Sequence, residues 1–275
     1  MFRLFRASVL ILLFLPETAS LGYAQGDSHP LTYYNPAWSP DGRSIAFESN
    51  REGNSAVYLV EVESRALRRL TPTDTEAFQP AWSPDGGRIV FGMKQGETSD
   101  LYVVNRDGSN LAPVTVQPGS QFYASFSPDG RSILFGVQFP EKRDVYYVGV
   151  VGSDGRGYRL LTDSSASSSG PRWVADGSRV EFTRTPLLTP APGEPMRDFF
   201  RRRDAASRRV SIRPDGSDAR EIGPAPGEGE PAPVDSPDGK YAVETREGAG
   251  TAGLYLIEKA TGRERTLVGR SPPAE

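Results

Sequence analysis

The chain has 275 residues, 37% of them hydrophobic and 24% charged, with no cysteine, one histidine and a net charge of −3. Without cysteine it cannot be a disulfide-stapled scaffold or a thiolate metal site, and a near-neutral charge argues against nucleic acid as a partner. The length suits one large β domain.

Residues 1–24 read as a secretory signal peptide. Arg3 and Arg6 precede an apolar stretch, Ala7 to Leu15, and Gly22-Tyr23-Ala24 offers small residues at a cleavage site. Thr18-Ala19-Ser20 is a second cleavage choice, and an uncleaved anchor is the alternative. The expectation is a periplasmic or secreted protein with no stable membrane insertion after cleavage. Removing Arg3, Arg6 and Glu17 makes the net charge one unit more negative.

From residue 25 to 275 one phrase organises the chain. Ser39-Pro40-Asp41-Gly42 returns as Ser83-Pro84-Asp85-Gly86, Ser127-Pro128-Asp129-Gly130, a degraded Val174-Ala175-Asp176-Gly177, and Ser236-Pro237-Asp238-Gly239. The aspartates step by 44, 44, 47 and 62 residues. Such a period marks stacked supersecondary units that cannot bury an apolar face singly.

Each unit has the grammar of four short strands. In the second, Gln79-Pro80-Ala81-Trp82 leads into the Pro-Asp-Gly turn, and Arg88 to Gly92 forms the next strand. A polar loop, Lys94 to Ser99, precedes Leu101-Tyr102-Val103-Val104, and Leu111 to Thr115 gives the fourth strand. Runs of β-formers punctuated by Gly, Pro, Asp and Asn are hairpin signals. The fold class expected is all-β: a β-propeller of five four-stranded blades starting near residues 35, 79, 123, 170 and 232. An incomplete six-bladed propeller is the alternative. Leu31-Thr32 could close the ring by pairing with the last blade. No helical periodicity is visible outside the leader.

Trp38, Trp82, Phe126 and Trp173 share the position before the turn and read as wedges between blades, whereas Asp235 breaks the rule and predicts a looser contact there. The turn aspartates read as turn formers. The Pro-Asp-Gly and Asp-Gly turns lie on one face, where they leave little room for a site. The longer loops lie on the other. That loop face should carry Tyr33, Tyr34, Glu76, Phe78, Phe122 and Tyr123 near the channel mouth, where rigid aromatics suit a peptide segment or a sugar ring. Ordinary loop packing is the competing reading.

Blade four carries an insertion at about residues 185–208. Pro186, Pro190, Pro192 and Pro195 exclude regular structure in its first half. Arg201, Arg202 and Arg203 beside Phe199 and Phe200 could hold an acidic peptide or an anionic polymer; the plainer reading is a solvated loop. Gly223 to Pro233 reads as a polar linker.

The pattern Pro-x-Trp-Ser-Pro-Asp-Gly-x-x-Ile-x-Phe-x-Ser-x-Arg-x-Gly, here Pro36 to Gly53, resembles the WD-repeat-like propeller repeats of TolB, the periplasmic component of the Tol–Pal envelope system. Similar repeats form the propeller of prolyl-oligopeptidase-type enzymes. The likeness covers residues 31–269 and departs from TolB in lacking its α/β domain and in showing five units instead of six. It implies a non-catalytic propeller whose loop face binds a protein or envelope polymer, such as a peptidoglycan-associated protein. Catalytic, metal and cofactor sites are expected to be absent, because His29 is the single histidine and no Gly-x-Ser-x-Gly elbow occurs. A carbohydrate-active lyase or hydrolase using channel carboxylates, and a fragment of a larger propeller protein, are the alternatives.

Overall fold

The computed structural model describes residues 31–225, 233–248 and 252–269. The leader, His29 and most of the Gly223–Pro233 linker lie outside them. The described residues form five four-stranded antiparallel sheets, each built from contiguous chain. Blade one comprises β1 (Tyr33–Trp38), β2 (Ser44–Ser49), β3 (Ala56–Glu61) and β4 (Leu67–Arg69). Blade two follows with β5 (Ala77–Trp82), β6 (Arg88–Gln95), β7 (Thr98–Asn105) and β8 (Ala112–Pro113). Blade three has β9 (Ser120–Phe126), β10 (Ser132–Gln138), β11 (Tyr146–Gly152) and β12 (Arg159–Leu160). Blade four has β13 (Ala166–Trp173), β14 (Val180–Pro186), β15 (Arg208–Ile212) and β16 (Arg220–Pro224), with a helix, α1 (Met196–Ala206), between β14 and β15. Blade five has β17 (Val234–Asp235), β18 (Tyr241–Arg246), β19 (Gly253–Glu258) and β20 (Glu264–Gly269). This is the five-bladed propeller architecture that the repeats predict.

The repeated tetrapeptide is a hydrogen-bonded turn. The Ser39 hydroxyl donates to Asp41 Oδ1 at 2.6 Å and accepts from Ser44 N at 2.9 Å, while Asp41 Oδ1 accepts from Arg43 N at 3.0 Å. Gly42 takes φ 68°, a value that only glycine adopts without strain. Ser83, Ser127 and Ser236 make the same hydroxyl bonds to Asp85, Asp129 and Asp238. Blade four lacks the serine, so Asp176 turns to Ser178. Burial opposes ionisation of Asp41, yet the Ser39 hydroxyl, Arg106 and the Arg43 N–H outweigh it and hold the carboxyl at about 2. In blades one to three the fourth strand is short, and a threonine hydroxyl extends its ladder. Thr71, Thr115 and Thr162 Oγ1 accept from Val57, Leu101 and Val148 N.

Blades join face to face through three repeated contacts. The first is apolar. Ala46, Val57 and Leu59 of blade one pack on Ile89, Phe91 and Val104 of blade two. Equivalent clusters join blades two and three and blades three and four. A fourth cluster joins Phe47, Tyr58 and Val60 of blade one to Val243, Leu254 and Leu256 of blade five. Phe47, Phe91 and Phe135 are fully buried, each worth about 2–3 kcal/mol of burial. The second contact is a hydrogen bond: Trp38, Trp82 and Trp173 Nε1 donate to the carbonyls of Val234, Ala37 and Ser125 on the preceding blade. The third seats the proline of one turn against the glycine of the next, as Pro40 on Gly86, Pro84 on Gly130, Pro128 on Gly177 and Pro237 on Gly42.

These contacts place the blades in the order five, one, two, three, four. Leu31 and Thr32 do not pair with blade five. Blade five is a complete sheet and meets blade one through its face. Asp235 has no indole to offer and pairs instead with Lys259 at 2.8 Å within its own blade.

Two measurements test this account. Trp82→Phe keeps a ring but deletes the bond to Ala37, and should cost about 1 kcal/mol in urea unfolding; an unchanged midpoint would make the bond incidental. Asp41 lies below its ordinary 3.8 in the folded state, so its contribution is complete above about pH 4 and disappears as pH falls towards about 2. The stability gap between the native chain and Asp41→Asn should therefore shrink over that interval, and a gap constant with pH would refute the assignment.

Candidate functional site

The inner strands carry a repeated irregularity that the sequence pattern did not reveal. Register breaks between Tyr34 and Ala37, Phe78 and Ala81, and Ser169 and Arg172, and opposite Leu134 and Gly136 in blade three. At each break one residue takes the left-handed conformation: Asn35 (φ 50°), Gln79 (φ 56°), Tyr123 (φ 51°) and Gly170 (φ 60°). Pro36, Pro80 and Pro171 follow three of them and cannot donate to the ladder, which favours a bulge over a regular strand. Left-handed backbone costs a non-glycine residue about 1–2 kcal/mol, so the surroundings must hold it.

They do so through polar links within and between blades. Glu48 accepts from Asn35 Nδ2 (2.9 Å), Ser55 Oγ (2.9 Å) and Gln79 N (3.2 Å). Gln79 Oε1 in turn accepts from Tyr123 N at 2.8 Å. Tyr146 N donates to Ser167 Oγ at 3.1 Å, joining blades three and four. The bulges of blades one, two and three are thus fixed to each other.

Among the aromatics expected at the loop face, the structure separates packing groups from surface groups. Tyr33 belongs to the core, with its hydroxyl donating to Gly269 O at 2.9 Å, so it is withdrawn from the face. Phe78 and Phe122 are half-buried, with their rings laid over Gly92 and Gly136, where a Cβ would clash at 2.3 and 2.7 Å. Glu76 pairs with Lys94 at 3.3 Å. Tyr34 is 39% exposed and Tyr123 57% exposed. Burial and a hydrogen bond to Glu247 push the Tyr34 hydroxyl up to about 12, so it stays a neutral phenol. Tyr146, which sequence reasoning read only as part of a strand, is 38% exposed and meets Phe122 edge-on at 5.7 Å. Phe122 also meets Tyr123 edge-on at 5.5 Å. The surface aromatics are therefore Tyr34, Tyr123 and Tyr146, with Phe122 beneath the last two.

The blade-four insertion differs from the irregular loop expected. Its prolines end at Pro195, immediately before α1, and leave Met196–Ala206 free to form helix. Phe199 is buried and lies under the Arg202 guanidinium at 5.6 Å, so it is not a surface contact. Arg202 is bound by Glu194 at 2.8–3.0 Å and by Thr189 O, which ties the helix to the proline segment. Those bonds from Arg202, with Ala191 N, hold Glu194 at about 2. Arg203 stacks on Phe200 at 4.9 Å and pairs with Asp204. Arg201, 72% exposed, has a 3.4 Å contact with Asp198. The arginines expected as one patch are thus divided between helix anchoring and solvent. The strand-two to strand-three connection in blade two is also shorter than expected, since Gln95 pairs directly with Thr98.

The short-turn face is not featureless. A shallow depression of about 590 Å³ is lined by Arg68, Asp85, Arg88, Arg106 and Asp107. Arg106 donates to Asp41 Oδ2 at 2.8 Å and to Ser44 Oγ, and Arg68 to Asp107 O at 3.0 Å, so both guanidiniums brace blade one against blade two. Among the described residues no group of three or more His, Cys, Asp or Glu side chains is arranged to hold a metal ion, and no helix is long and apolar enough to cross a membrane.

An eleven-residue helix is marginal without packing. Phe199→Ala should therefore abolish the helical circular-dichroism signal while leaving the ring's thermal unfolding nearly unchanged. Loss of the whole fold would show that α1 belongs to the core instead.

Comparison with known proteins places this geometry. The family model described as TolB beta propeller domain matches residues 26–186. A segment of 97 residues, 35% of the chain, is 36% identical to dipeptidyl-peptidase 5 of Porphyromonas endodontalis and spans 11% of that enzyme's length. TolB from Acinetobacter baumannii is 16% identical with a TM-score of 0.55, over 85% of this chain and 53% of that one. A putative TolB from Agrobacterium tumefaciens is 19% identical with a TM-score of 0.57, over 87% of this chain and 81% of that one. The structural likenesses show the fold alone; with the family match over more than half of its residues, the chain belongs to the TolB beta propeller domain family.

Proposed function

We propose that this chain is an exported, non-catalytic propeller that binds an extended peptide segment of a cell-envelope protein on its loop face. The observation that carries the reading is the set of exposed tyrosines, Tyr34, Tyr123 and Tyr146, held at or beside a hydrogen-bonded network of bulges. An aromatic side chain exposed at φ 51°, as Tyr123 is, is supported when its backbone is fixed, and here Gln79 fixes it. Rigid tyrosines contribute contact area with little ordering cost, and their hydroxyls reach peptide carbonyls. The TolB relatives support a protein partner, and Arg197 and Arg201 favour acidic flanks on it. A carbohydrate-active reading would need convergent free carboxylates at the axis. Glu48, the inner-strand neighbour that could serve, is occupied by Asn35, Ser55 and Gln79.

Capture from an envelope extract by the immobilised protein, followed by titration of the captured partner, tests this reading. Tyr123→Ala and Tyr34→Ala should each weaken binding about 10–30-fold, in the range of interface anchors, whereas Asp107→Asn on the opposite face should not. Binding that survives the double tyrosine substitution would remove the loop face as the site.

A further inference from the structure

The four packed interfaces share a residue pattern that the fifth reverses. Aligned by the pairing of strands one and two, Phe47, Phe91, Phe135 and Phe182 occupy one position, and Glu244 occupies it in blade five. The preceding position is Ala46, Val90, Leu134 and Val243 in blades one, two, three and five, and Glu181 in blade four. Strand three follows suit. Leu59, Val103, Val150 and Leu256 face the next blade, and Ser211 takes that place in blade four, with Arg209 two residues before it. The face of blade four turned away from blade three is therefore polar, and the face of blade five turned away from blade one sets Glu244 and Arg246 beside Ala242, Tyr255 and Ile257.

Each of these faces satisfies its own charges. Glu181 pairs with Arg172 and with Arg209 at 2.8 Å. On blade five, Arg246 pairs with Glu244 and with Glu264 at 2.8 Å, and lies over the Tyr255 ring at 4.3 Å. The repeated links between neighbours also stop here. Asp235 replaces the tryptophan, Ala175 replaces the turn proline, and a Cβ on Gly239 would meet nothing within 4 Å. Among the described residues no buried cluster spans blades four and five.

We propose that the seam between blades four and five is a gate in the ring. Blades five, one, two, three and four form one apolar-cored arc, whose two end faces are each other's occupant and part without opening any of the four buried clusters. Blade four presents Arg172, Arg209 and Arg220 against Glu181 and Asp218, and blade five presents Asp235, Glu244 and Glu264 against Arg246 and Lys259, so a closed state sets a net positive face against a net negative one. Exposed pairs of this kind are weak and leave opening easy. An opening here admits a chain-like ligand to the axis from the side without threading. The proposal stands apart from the binding reading, since it is measured without any ligand.

The absence of native cysteine allows direct measurement. Spin labels at Ile222→Cys on the fourth strand of blade four and Arg263→Cys beside the fourth strand of blade five report its width by pulsed electron–electron double resonance. Labels at Leu67→Cys and Ala112→Cys span the apolar interface of blades one and two as a control. The seam pair should give a broad or two-component distance distribution and the control pair a single narrow one. Glu181→Leu, Arg209→Val, Ser211→Val and Glu244→Phe together install the residues of the other interfaces and should collapse the seam distribution to its shorter component. A seam distribution as narrow as the control in the unsubstituted chain overturns the gate. That comparison decides the matter even if the fourfold variant does not fold.

Discussion

The architecture depends on one large ring from each of blades one to four pressing on the sheet beside it. A single four-stranded sheet of this size cannot keep its apolar faces from water, and the second-strand phenylalanines, fully buried at Phe47, Phe91 and Phe135, are what make a neighbouring blade obligatory. The indole-to-carbonyl bonds of Trp38, Trp82 and Trp173 then set the angle at which neighbours meet, because a hydrogen bond is directional where apolar burial is not. Turn prolines packed on turn glycines complete the same three-part contact on the short-turn face.

The candidate site follows from the opposite requirement. Inner strands converge on the axis, where there is little room for side chains, and the chain meets this by breaking register once per blade in blades one to four. Gly92 and Gly136 make space for Phe78 and Phe122, and one left-handed residue sits at each break. Glu48 and Gln79 offset the strain of these bulges with hydrogen bonds, two of which cross between blades. Rigidity at the axis and exposure of Tyr34 and Tyr123 thus have one cause. The insertion in blade four works differently: it is a local structure pinned by Phe199 and Arg202, added to the ring and not required by it.

Membership of the TolB propeller family is carried by the same repeated turn and packing residues, which serve the architecture. They do not distinguish a binding module from the propeller of a peptidase, as the short match to dipeptidyl-peptidase 5 illustrates. What individualises this chain lies in its departures from the repeat: Asp235 for tryptophan, Ala175 for proline, Glu181 and Glu244 for apolar residues, and the helical insertion.

By itself the sequence determined the number of blades, the four strands in each, and the turn chemistry. Those depend on residues close together in the chain, where Ser, Pro, Asp and Gly act within a few bonds of one another. It also marked Asp235 as a weak point. Only the tertiary structure decided which neighbour blade five adopts, that α1 is a helix, that Tyr33 and Phe199 are buried, and that Tyr146 is exposed beside Tyr123. The bulges at Asn35, Gln79 and Tyr123 were equally hidden, since no local motif announces them and each is held by a partner from another strand or blade. The division has a physical basis: turns are local, whereas burial, bulge support and the closure of a ring are settled by side chains that meet only after the blades have packed.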